Sequence, residues 1–234
     1  MDSLISSDTI RMLQNIDTPS ICNAIETFEC RLRNEGFINH EVKCLTPKLS
    51  PMVGYAQTIK VRAASPPQKK RYYLDQTDWW SDLLLVGNPR VLIVEDMDSI
   101  PGVGAFVGSV HAHILKALGC IGIITNGAVR DLHEISEINF NLFAGNVSPS
   151  HSYVHIVEHG TPVKIAGLEI SPGDLIHGDQ HGFTLIPPKI AAELPERVQQ
   201  QKQREILIKK YCLSDRFSVN GLNRLISQTS GNSH

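Results

Sequence analysis

Apolar residues near the start of the chain recur at helical spacing. Ile10 and Leu13 follow Asp8, which can cap a helix, and Thr18-Pro19 opens a second segment in which Ile21, Ala24, Ile25 and Phe28 share one face. Residues 31–60 are mixed, with Pro47, Pro51 and Gly54 as breaks, and Gly54–Val61 alternates like a strand. The middle reads most clearly. Arg90–Asp96 (RVLIVED) is a short apolar run that fits a buried strand, and the glycine-rich stretch IPGVGAFVG follows it. Ser109–Leu118 reads as a helix, with Ser109 as its N-cap and Gly119 as its stop, and Ile121–Thr125 is a second buried strand. Strand, helix and strand in succession predict a right-handed βαβ unit, whose ligands sit beyond the carboxyl ends of the strands. That edge carries residues 96–108 and Asn126–Asp131. From Val147 to Pro188 the pattern is β-like and rich in turns, and beyond Pro188 it becomes charged, Gln-rich and helical. The chain therefore divides into an α/β domain over 1–188 and a helical extension over 189–234, expected to pack on its own or a neighbouring subunit.

Composition narrows the class. The 234 residues are 41% hydrophobic and 20% charged, which suits one folded domain with a sizeable core and excludes wholesale disorder. A net charge of −2 gives no general pull toward nucleic acid or an anionic membrane, and no apolar run approaches the roughly 20 residues of a membrane helix. The basic cluster Lys69-Lys70-Arg71 follows two prolines and reads as a solvated loop. The N-terminus lacks the basic start and apolar stretch of a signal peptide, so a cytoplasmic location is expected. Five scattered cysteines without a CxxC pair argue against a disulfide framework or a zinc ribbon. Eight of the ten histidines lie between His111 and His181, yet their spacing matches no metal motif; His111 and His113 point to different helix faces.

Two features converge on one place. The run GVGAFVGS leads into the helix beginning near Ser109, where glycines let a ligand approach and the amides of Val110 and His111 would face an anion. At the end of the next strand stands NGAVRD: Arg130 offers a planar fork for a carboxylate, and Asp131 a hard oxygen ligand for Mg²⁺. An anion nest, an arginine and a metal-binding carboxylate together suit a 2-oxo acid whose enolate needs stabilising. A purely structural reading competes, in which Asp131 and Glu134 form a capping box, Arg130 is a surface residue and the glycines serve the turn.

GSVHAHILKALGCIGIITNGAVRD resembles the signature of the RraA-like family, which includes the 4-hydroxy-4-methyl-2-oxoglutarate/4-carboxy-4-hydroxy-2-oxoadipate aldolases. TPSICNAIETF, FAGNVSPS and SPGDLIHGDQHGFTLIP add to the resemblance, which covers about residues 10–210. It implies a three-layer swivelling β/β/α fold and a homotrimer or homohexamer with active sites between subunits. It also implies Mg²⁺, Mn²⁺ or another divalent cation as cofactor, and a small 2-oxo acid as substrate. Carried over residue by residue, Asp131 holds the metal, Arg130, Ser109 and Glu205 serve catalysis, and Gly108, Val110, His111 and Arg130 bind substrate. Ser109 departs from the family, which has an acidic residue there, and Asn23 and Asn126 stand where Asp is common. Serine is no general base at neutral pH, so the aldol route should suffer more than oxaloacetate decarboxylation, with His111 or His113 as candidate substitutes. The expected function is a metal-dependent lyase forming a pyruvate enolate. The alternatives are a non-catalytic regulator of ribonuclease activity and an enzyme diverged to another 2-oxo acid.

Overall fold

The computed structural model describes residues 5–67 and 78–230, so the Lys69-Lys70-Arg71 cluster lies outside the described residues. In chain order the elements are α1 (Ser7–Leu13), α2 (Thr18–Glu26), β1 (Lys43–Cys44), β2 (Met52–Arg62), α3 (Asp78–Leu83), β3 (Arg90–Asp96) and β4 (Ala105–Val107). There follow α4 (Ser109–Ala117), β5 (Cys120–Val129), α5 (Leu132–Glu137), β6 (Asn141–Val147) and β7 (His155–His159). Strands β8 (Val163–Ile165), β9 (Leu168–Ile170), β10 (Leu175–Asp179) and β11 (Gly182–Ile186) precede a 3-10 turn at Pro188–Ile190 and helices α6 (Leu194–Cys212) and α7 (Val219–Ser230).

Among the described residues nine strands form one sheet in the order β1-β6-β5-β3-β2-β10-β11, with β4 added to β5 and β7 to β2. The centre is parallel: β2 pairs with β3, β3 with β5, and β5 with β6, each through an intervening helical connection. Strand β2 is buried almost throughout, so the expected alternation over Gly54–Val61 does not describe it. It sits mid-sheet, and both of its faces are covered.

Side-chain parity along β2 shows the layers. Val53 and Tyr55 pack with Ile10, Leu13, Ile21 and Ile25 of α1 and α2, while Ile59 and Val61 pack with Trp79, Leu115 and Ile135 of α3, α4 and α5. Met52 and Ala56, on the opposite face, meet Val163, Ile165 and Ile170 of the β8–β9 hairpin. Helices thus cover one face and a β-ribbon the other, the three-layer α/β architecture expected. The hairpin turns on Ala166 and Gly167, both at positive φ (48° and 82°). Leu194 and Val198 of α6 join the α1–α2 cluster. Among the described residues no helix is long and apolar enough to cross a membrane.

Several local expectations change. Ser6, not Asp8, caps α1 by accepting from Thr9 N at 3.1 Å, and Asp8 pairs with Arg11 instead. Asp17 caps α2, accepting from Ser20 N at 2.8 Å, with Pro19 in the first turn. The glycine-rich connection contains β4, and β5 runs four residues past Thr125, so NGAV is strand rather than loop. Its register shifts between Thr125 and Ala128.

Candidate active site

The adjacent parallel strands β3 and β5 deliver their following segments to one edge. Asn126 clamps them: its Oδ1 accepts from Asp96 N at 2.7 Å and its Nδ2 donates to Asp96 O at 3.0 Å. Asp96 turns inward to accept from Gly102 N at 2.8 Å, which shapes the glycine-rich loop, and burial raises its pKa. Asn126 is therefore committed to structure.

Helix α4 begins at Ser109 with Gly108 as its N-cap, so Ser109 does not cap it as expected. A residue from the neighbouring loop takes that role. Ser109 N donates to Asp131 Oδ2 at 2.9 Å, which gives the carboxylate a helix N-terminus as its partner. Asp131 occupies the N-cap position of α5 but makes no side-chain cap bond to it, and its backbone is left-handed (φ 56°, ψ 39°). The capping-box reading with Glu134 thus fails. A non-glycine residue in that region costs on the order of 1–3 kcal/mol, and such strain clusters at functional sites. The strained backbone aims the carboxylate across to α4.

Arg130 is held beside it. Its amide donates to Val107 O at 3.0 Å, joining β4 to the end of β5, and its Nη1 donates to Pro149 O at 3.3 Å. Arg130 Nε lies 3.5 Å from Asp131 Oδ2 and is buried without a hydrogen-bond acceptor. The side chains of both residues are 34% exposed, so the pair meets solvent rather than being sealed. The helical ladder of α4 starts at Ala112 N to Gly108 O, leaving the amides of Val110 and His111 ahead of it in the first turn. Gly108 is tight: a Cβ there would lie 2.6 Å from Asp131 Oδ2 and 2.9 Å from Arg130 Nε. Gly108→Ala should leave the fold intact and displace this pair. A shift of about 1 Å at a reacting centre costs on the order of 10²-fold in rate, which kcat/KM of the variant would read.

The histidines separate by environment. His111 is buried, its Nδ1 3.1 Å from Phe106 O, with its ring 4.7 Å from that of Phe106 and 6.2 Å from that of Trp79. Burial pushes its pKa down to about 4. It is neutral and enclosed, which removes its imidazole as a substitute base. His113 is exposed on the other face, its Nδ1 donating to Ser109 O at 2.8 Å. His151 is a neighbour the sequence reading missed. Its Nδ1 donates to Ala105 O at 2.6 Å; burial and the Arg130 charge lower its pKa, while the Asp131 charge opposes them. The only signal was its place directly after FAGNVSPS.

The His111 shift carries a stability consequence. A histidine whose folded pKa is lowered disfavours the folded state as pH falls through its unfolded value near 6.5 toward about 4. Within that window the penalty grows by up to about 1.4 kcal/mol per pH unit. Chemical denaturation between pH 7 and 4 should show stability falling with acid, and His111→Phe should flatten the slope. An unchanged slope would contradict the burial assignment.

Among the described residues no three His, Cys, Asp or Glu side chains come together as a metal cage. What the site offers is one part-exposed carboxylate, which fits a cation such as Mg²⁺ that keeps most of its waters, and does not fit a tetrahedral zinc centre. Glu205 is not brought to this place within one chain. It lines a groove of about 740 Å³ between α2 and α6, with Asn23, Phe28 and Arg197 among its neighbours, and pairs with Lys209 at 2.9 Å.

The RraA-like family model, described as Aldolase/RraA, matches residues 18–185. A 4-hydroxy-4-methyl-2-oxoglutarate aldolase of Thermus thermophilus is 31% identical over 102 residues, 43% of this chain and 61% of that protein. A Burkholderia multivorans protein whose name assigns it provisionally to the same aldolases is 30% identical over 142 residues, 60% of this chain and 82% of its own length. The chain spans about half the length of the first curated relatives it matches. Among solved structures, an unusual member of the RNase ES inhibitor RraA protein family from Streptomyces coelicolor superposes with a TM-score of 0.68 at 20% identity. That match covers 88% of this chain and 98% of the other, and it shows the same fold.

Proposed function

Because the chain belongs to the RraA-like family, we propose that it is a divalent-metal-dependent lyase that releases pyruvate from 2-oxo acids, by retro-aldol cleavage of a 4-hydroxy-2-oxo acid, by oxaloacetate decarboxylation, or by both. One observation carries this reading. Asp131 forgoes capping its own helix and, in a strained left-handed conformation, sets its carboxylate beside Arg130 and the first amide of α4. A residue that caps its own helix has an extended backbone, and a carboxylate turned away from that helix toward an arginine and a helix N-terminus is placed to hold a ligand. The aldolase names of the relatives supply the substrate class.

Asp131 would hold the cation, with water completing its shell. The cation would act as a Lewis acid toward the oxygen on which charge develops as the carbon–carbon bond breaks. Arg130 supplies the chain's own positive charge for the same oxygen and for the substrate carboxylate, through a planar fork of donors. The amides of Val110 and His111 would take that carboxylate at the start of α4, where Gly108 leaves room for it. The Ser109 hydroxyl would orient water or substrate without acting as a base. Glu205 would enter only from a neighbouring subunit.

Both candidate reactions end in pyruvate, so one assay tests them together. Pyruvate release from 4-hydroxy-4-methyl-2-oxoglutarate and from oxaloacetate should require Mg²⁺ and stop with EDTA. Decarboxylation should be the faster, since it needs no alkoxide-forming base. Release no faster than with Mg²⁺ alone would contradict the proposal and leave the non-catalytic regulator as the better reading.

A further inference from the structure

We propose that the substrate is a 4-hydroxy-2-oxo acid with a single carboxylate and an aliphatic substituent on C4, and that Val103 and Val147 select it. The inference rests on the lyase reading and specifies what the site cleaves. With Arg130, Asp131 and the first amides of α4 engaging the oxo-acid end, the C4 substituent must lie against the side chains around them. Those side chains are aliphatic. Val110 is 64% exposed, one residue past Ser109, whose amide holds Asp131. Val147 is 48% exposed and stands opposite Val129, the residue before Arg130, one strand spacing of about 4.8 Å away. Val103 and Ile100 are exposed on the neighbouring loop.

This rim is part of the sheet edge. Ser148, next to Val147, donates through its hydroxyl to Val103 O at 3.3 Å and through its amide to Val129 O at 3.1 Å. A Cβ at Gly102 would lie 3.1 Å from Cβ of Asn146, so the loop bearing Val103 abuts the end of β6 directly. The valines are therefore held in place beside Arg130.

The charge of the rim itself decides what it accepts. Residues 97–110, 126–130 and 141–153 contain one lysine or arginine between them, Arg130. Its guanidinium already faces Asp131 and Pro149 O. Arg62, at the end of β2, lies 3.9 Å from Asp98 Oδ1, and Asp98 Oδ2 is tied to the amides of Ala63 and Ala64 at 2.7 Å each. A second carboxylate on C4 would lose water against valines without gaining a partner. An alkyl group there gains by covering them. In the cleavage the C4 hydroxyl gives its proton to solvent water and the C3–C4 bond breaks. Its electron pair forms the C2–C3 double bond of the enolate, and C4 leaves as an aliphatic aldehyde. A proton from water added at C3 then gives pyruvate, so no oxidant or reductant enters.

Calorimetric binding and turnover on the full chain with Mg²⁺ test this. In the unreactive series 2-oxobutanoate, 2-oxopentanoate and 2-oxohexanoate, Kd should fall about 2–4-fold per methylene. 2-Oxohexanoate should bind about 10-fold more tightly than 2-oxoglutarate, which is of nearly the same length but ends in a carboxylate. Likewise kcat/KM for pyruvate release should be higher on 4-hydroxy-2-oxohexanoate than on 4-hydroxy-4-methyl-2-oxoglutarate. Val147→Arg and Val103→Arg, each at an exposed position, should keep the circular dichroism and reverse both orders. A flat series, tighter binding of 2-oxoglutarate by the wild type, or folded variants that leave the order unchanged would overturn the selection by the rim. Mg²⁺-dependent oxaloacetate decarboxylation involves no alkyl group and separates the two readings. If it persists while the aliphatic preference is missing, the lyase reading stands and the substrate assignment falls; if no 2-oxo acid releases pyruvate, both fall.

Discussion

Asp131→Ala is expected to lower metal-dependent pyruvate release by about 10²–10³-fold, the loss typical when one charge-stabilising group leaves a preorganised site. The change removes the carboxylate that accepts from Ser109 N and lies 3.5 Å from Arg130 Nε. Asp131→Asn is the sharper control. Asparagine tolerates the left-handed backbone and can still accept from Ser109 N, so the fold and the loop should persist. What it lacks is the charge. If Asp131→Asn keeps wild-type turnover while folding normally, the carboxylate is not holding a cation.

The second large effect is on stability. Phe106→Ala should destabilise the chain by about 3–5 kcal/mol, the usual range for deleting a buried phenylalanine side chain. Phe106 is 2% exposed on a three-residue strand, with Trp79 of α3 and His111 of α4 as ring neighbours at 6.4 and 4.7 Å. Truncation would open a cavity between β4 and two helices at once, and little nearby can collapse into it. For a chain of this size the melting temperature should fall by roughly 6–20 °C. Calorimetry that shows a drop of only a degree or two would mean that β4 is not packed as described.

Which parts of this were legible beforehand follows from the range of the forces involved. The strand at Arg90–Asp96 and the helix from Ser109 were visible because burial on one face or both imprints a local period. Strand β4 has three residues between glycines, too few for any period to show. The continuation of β5 through NGAV was hidden because Asn126 and Gly127 look like a turn, while the neighbours that make them strand, β4 and β6, are distant in sequence. Residues Arg130 and Asp131 could be singled out by chemistry alone. The left-handed backbone of Asp131 could not, since an aspartate before a helix ordinarily signals a cap. His151 escaped for a related reason: it reaches the site because its own carbonyl crowds Gly104, where a Cβ would overlap it, and that contact leaves no sequence period.

The most direct test of the central claim, that Asp131 is the carboxylate through which the site holds its cation, is a Mn²⁺ titration followed by electron paramagnetic resonance. Wild type and Asp131→Asn would be compared at equal protein concentration. The free Mn²⁺ signal should be quenched to saturation by the wild type, restored by Mg²⁺, and left nearly unquenched by Asp131→Asn. Equal quenching by the two proteins, or none by the wild type, would contradict it.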